Sequence, residues 1–67
     1  MSVARVTEIS ATSPESFDDA VRQGIERASE TLRGMTSAWV KDQNVEISDG
    51  KVAAYRVNLA VTFILDS

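Results

Sequence analysis

The chain has 67 residues, 43% hydrophobic and 25% charged, a balance that suits one small folded domain rather than a disordered segment. It contains no cysteine and no histidine, which removes disulfides and almost every zinc, copper, haem or iron–sulfur site. Ten acidic side chains against seven basic ones give a net charge of −3 with no basic cluster, so the positive field that a phosphate backbone demands is missing and nucleic acid is excluded as a partner.

The first predicted element is a strand over Val3 to Ala11, a short, β-branched stretch without glycine. Thr12-Ser13-Pro14-Glu15 then opens a helix. Proline is at ease in a first turn, Ser13 is placed to accept a free N–H, and Glu15 suits the positive end of the dipole. Phe17, Ala20, Val21, Gly24, Ile25, Ala28 and Leu32 recur at three- and four-residue steps as one apolar stripe. Gly34 follows Arg33 where a left-handed residue ends a helix, so the predicted span is Pro14 to Arg33. Gly24 within the stripe costs about 1 kcal/mol of propensity against alanine. Close approach to a sheet explains it, and so does simple tolerance.

Past Gly34 the period becomes two. Met35 to Ile47 reads as a long strand whose apolar parity changes between Ala38 and Val40 on one side and Val45 and Ile47 on the other. Such a change of facing predicts a bulge or bend near Lys41 to Asn44. Ser48-Asp49-Gly50-Lys51 is a hairpin turn, because Asp-Gly tolerates the positive φ angles that tight hairpins need. Tyr55, Val57, Leu59, Val61, Phe63 and Leu65 then share one face of the most apolar strand, with Arg56 and Asn58 on the other.

The order is β-α-β-β, an α+β class in which a three-stranded antiparallel sheet is partly wrapped around one helix, as a single domain over residues 1–67. The third strand belongs in the middle and a right-handed crossover joins the first two. A helix of about 30 Å cannot cover strands that reach about 40 Å. The bare face and edges predict association with further copies of the chain. No apolar run reaches the ~20 residues that span a bilayer, so no membrane partner is expected. The opening MSVARVTEIS lacks an apolar leader, so the expected location is cytoplasmic.

The chemistry inventory is thin. Catalytic candidates reduce to carboxylates, Lys41, Lys51, Tyr55 and hydroxyls, and a three-stranded domain has no cleft that holds two carboxyls at a set separation. Neither a P-loop nor a nucleophile elbow is present. The expectation is a binding protein, not an enzyme. Asp18 and Asp19 point about 100° apart on the helix and read as a solvated face. Asp42, Glu46 and Asp49 lie on or near the hairpin and are the candidate oxygen ligands for calcium or magnesium.

The helix start TSPESFDDAV, the stretch VKDQNVEI and the ending YRVNLAVTFILDS together resemble the dodecin family across nearly the whole chain. The resemblance implies a hollow homododecamer, helices outward and sheets inward, that stores or sequesters flavins such as riboflavin, FMN or FAD. In that family two isoalloxazine rings stack between tryptophans at a two-fold axis, and a glutamine bonds the ring edge. Aligned without gaps, the tryptophan position falls on Ser37, the glutamine position on Arg56, and a glutamate near the pocket on Glu46. Trp39 lies two residues past Ser37 on the same strand face. It therefore reads either as a displaced stacking wall, with Arg56 as donor, or as packing between copies. Dodecin-like proteins that lack the tryptophan are associated with calcium, so a divalent cation is the alternative to flavin as the small-molecule ligand.

Overall fold

A computed structural model describes residues 3–65. Met1 and Ser2 of the opening stretch, and Asp66 and Ser67 of the YRVNLAVTFILDS ending, lie outside them. The element order is β1 (Val3–Ser13), α1 (Phe17–Ala28), β2 (Met35–Ser48) and β3 (Lys51–Leu65). The sheet order is β1-β3-β2, and β3 runs antiparallel to both neighbours. The central place of the most apolar strand is as its composition requires, because only a middle strand is flanked on both edges.

One helix face meets one sheet face. Ala20 packs on Val57, Leu59 and Val61, all fully buried, with Ile9, Ala11, Phe17, Val21, Ile25 and Met35 around them. Phe17 meets Tyr55 edge to face, with ring centroids 5.1 Å apart. At Gly24 an added Cβ would stand 2.9 Å from the Ala11 Cβ. Close approach to the sheet is therefore the reason for that glycine.

The helix is shorter than its stripe predicts. Ser13 does not cap it: the Ser13 Oγ is fully buried, accepts from the Glu15 N–H at 3.0 Å and donates to Asp19 Oδ2 at 2.6 Å. Ser16 is the N-cap, its Oγ accepting from the Asp19 N–H at 2.9 Å. At the other end Thr31 and Leu32 both donate to the Ala28 carbonyl, a tightened turn that ends α1 before Arg33. Gly34 is left-handed (φ 76°), but it turns the chain into β2 instead of closing the helix. An added Cβ there would lie 3.0 Å from the Ile64 carbonyl oxygen.

The strands fulfil their patterns. Lys41 is the extra residue of a bulge, since Val40 pairs with Leu59 and Asp42 with Asn58. Further shifts fall between Met35 and Ser37 and between Glu46 and Ile47. Asp49 (φ 52°) and Gly50 (φ 73°) both take positive φ, the signature of a tight hairpin turn.

The outcome is a long, thin molecule, 51 × 19 × 13 Å, with a radius of gyration of 13.8 Å. A compact chain of this length has a radius of about 11 Å. It exposes 4997 Å², against about 4,200 Å² for an ordinary monomer of its mass. The α1 helix packs on β1 and β3, and β2 extends beyond its cover.

Candidate functional site

The sheet face opposite α1 collects the polar chemistry. The registers put Glu8, Ala60 and Trp39 in one row across β1, β3 and β2; Ser10, Asn58 and Asp42 in the next; and Thr12, Arg56 and Asn44 in the one after. Ser37 pairs with Thr62 in the row above Trp39, and Glu46 pairs with Ala54 below Arg56. All four ligand-binding candidates, Ser37, Trp39, Glu46 and Arg56, therefore belong to this open face.

Trp39 is 70% exposed on it, an unusual place for the largest apolar side chain of so small a protein. Arg56 lies four residues along β3 from the Trp39 row, about 13 Å away. The two do not form a contact pair within one chain, so only a bound molecule or another copy can link them. The Arg56 guanidinium is engaged by Glu46 and reaches Thr12 Oγ1 at 3.5 Å. Ser37 also borders a groove of about 270 Å³ beside Ile25, Met35, Ala38 and Val61, where α1 stops short of β2.

Two features escaped the sequence reading. Lys41 Nζ donates to Glu8 Oε2 at 2.9 Å across the full width of the sheet. Glu8 pairs with Ala60, so this bridge passes over Ala60, only 8% exposed although no helix covers that face. The hydrogen bond to Glu8, then the charge of Glu8, raise the Lys41 pKa above its ordinary 10.5. Asn58 donates to Asp42 Oδ1 one row further on. Strand parity already placed Asn58 beside Arg56 on one face. Finding its partner needed the bulge position, and finding Glu8 needed the β1 register.

The candidate metal ligands are not gathered within one chain. Asp42 is held by Asn58, Glu46 by Arg56, and Asp49 stands in the hairpin turn. Among the described residues no group of three or more carboxylates is close enough to hold an ion. Nor is any helix among them long and apolar enough to cross a membrane.

A family model for dodecins matches residues 3–66. The chain belongs to the dodecin family. The solved dodecin of Streptomyces davaonensis is 41% identical, with a TM-score of 0.93 over 98% of this chain and 97% of that one. A variant of the Thermus thermophilus dodecin superposes with a TM-score of 0.94 at 31% identity over the full length of both chains. The calcium dodecin of Mycobacterium tuberculosis is 32% identical over 94% of this chain and 89% of its own. A crystal structure of that protein, described as a calcium-chelating antigen with a calcium-binding site, gives a TM-score of 0.82 at 31% identity, over 96% and 91% of the two chains. The resemblance read from the helix start, the second strand and the final strand is thus a family membership. The β-α-β-β architecture is the dodecin fold.

Proposed function

We propose that this dodecin is a non-catalytic ligand store, a homododecamer that sequesters a small planar molecule between copies, flavin being the first candidate. The observation that carries the reading is the open face with Trp39, 70% exposed, standing on it. An indole in water gains from a flat partner laid against it. An isoalloxazine ring supplies such a partner, with Trp39 as one wall of a slot and another copy closing it.

The donor set fits that group in part. Trp39 offers the aromatic face that Ser37 lacks, and Arg56, steadied by Glu46 and Thr12, offers N–H donors to a polar ring edge. The group would supply the planar surface and its acceptors, and the chain would orient it and exclude water. Lys41, protonated at neutral pH as any free lysine is, has its pKa raised further by Glu8, the opposite of what a general base needs. Self-association is supported by the elongated shape and by the length of β2 beyond the helix.

The test is a native mass followed by a titration. Sedimentation should give twelve times the 7.3 kDa chain. Riboflavin should then quench its own emission and that of Trp39 together, and unchanged spectra at micromolar flavin remove the flavin reading. Ser37→Trp should raise affinity by adding a second aromatic wall beside the first.

A second reading, divalent-cation binding, is favoured by the carboxylates of Asp42 and Glu46 on the same face and by the likeness to a calcium dodecin. In one chain these carboxylates are already engaged, so the ion would take ligands from several copies. A melting temperature that rises with calcium and ignores riboflavin selects this reading.

A further inference from the structure

The charge pattern of the open face restricts what can lie on it. Between the rows of Ile64 and Ala54 it carries five ionised side chains: Glu8, Lys41, Asp42, Glu46 and Arg56. Both cations are spent within the chain, Lys41 on Glu8 and Arg56 on Glu46. The third carboxylate, Asp42, hydrogen-bonds only the neutral amide of Asn58 and is in no ion-pair contact, its charge acting on Lys41 through space. Three acids against two bases leave the face with a net charge of −1 and no unengaged cation.

From this we infer that the open face selects an uncharged planar ligand and discriminates against its phosphorylated forms. The inference rests on the stacking reading of Trp39 and specifies the ligand class. A phosphate monoester carries close to two negative charges at neutral pH. Whichever cation it approaches, it meets a carboxylate already there, Glu46 on Arg56 or Glu8 on Lys41, so its charge is set close to a like charge. Like charges at such range repel, and the repulsion is strongest where copies enclose the face and exclude water. An uncharged ring pays none of this and uses the Arg56 N–H donors that Glu46 leaves free.

The experiment titrates the assembled wild-type protein with lumiflavin, riboflavin and flavin mononucleotide, read by Trp39 emission at low and physiological salt. Lumiflavin and riboflavin should bind alike, and flavin mononucleotide about tenfold more weakly, with the gap narrowing as salt screens the face. Glu46→Gln releases Arg56 and should recover most of the lost affinity for the phosphorylated flavin. Asp42→Asn, which lowers the negative charge while leaving both ion-pair contacts in place, should recover a smaller part. Equal binding of all three flavins overturns the charge selection and leaves the stacking reading standing. A gap that Glu46→Gln does not change, in a variant of unaltered native mass, overturns it as well. If no flavin quenches Trp39, the stacking reading fails and takes the selection with it.

Discussion

Leu59 and Val40 are cross-strand partners on the same side of one sheet, yet they live in different worlds. Leu59 is fully buried beneath α1 and Val40 is 47% exposed. The two are direct partners in the register, so backbone pairing cannot account for the contrast. The cover does. A helix of 12 residues spans about 18 Å and protects the middle of a sheet whose strands run to 15 residues. Part of the sheet is a finished core, and the rest is left uncovered by the chain itself.

Substitutions break that comparison in order of size. Leu59→Ala should cost about 2–5 kcal/mol, read by urea denaturation, because it opens a cavity under the helix. Gly24→Val should cost about 1–3 kcal/mol by the same measurement, since α1 must lift away from Ala11 to admit the new side chain. Ser16→Ala removes the hydroxyl that caps the Asp19 N–H and should cost about 1 kcal/mol. Val40→Ala should change the stability of a dissociated chain by no more than about 0.5 kcal/mol. If copies cover β2, the same substitution should lower the melting temperature of the assembly in a concentration-dependent way.

The smallest effect belongs to the open face. The folded-state pKa of Lys41 lies above its unfolded value, so the Glu8 pairing contributes fully below pH 10.5. It is lost as pH climbs through the raised value. The melting temperatures of the wild type and Lys41→Met should therefore differ slightly at neutral pH and converge in strong alkali.

Much of this was legible in the sequence because the relevant signals are local. The β3 alternation, the Asp-Gly turn and the parity change around Lys41 each reside within a few residues and fixed the strands, the hairpin and the bulge. The helix ends were not legible, since Ser13 and Ser16 are both competent caps and only their different contacts with Asp19 decide between them. The periodic stripe likewise continued to Leu32 although the backbone tightens after Ala28. At the site, the dodecin resemblance singled out Ser37, Glu46 and Arg56, and strand parity placed Trp39 on the same face as Ser37. The pairs that neutralise Lys41 and Arg56 join residues 33 and 10 positions apart, and only the register reveals them.

The Lys41 bulge also limits how copies can meet. Endless fibrils grow by laying like residues over like at each step of the stack, with flat strands in perfect step. Here that arrangement would set every Lys41 ammonium against its own image and superpose one kink on the next. A strand built this way is a poor seed for amyloid, so a sheet with so much naked length can tolerate neighbours without growing into a filament.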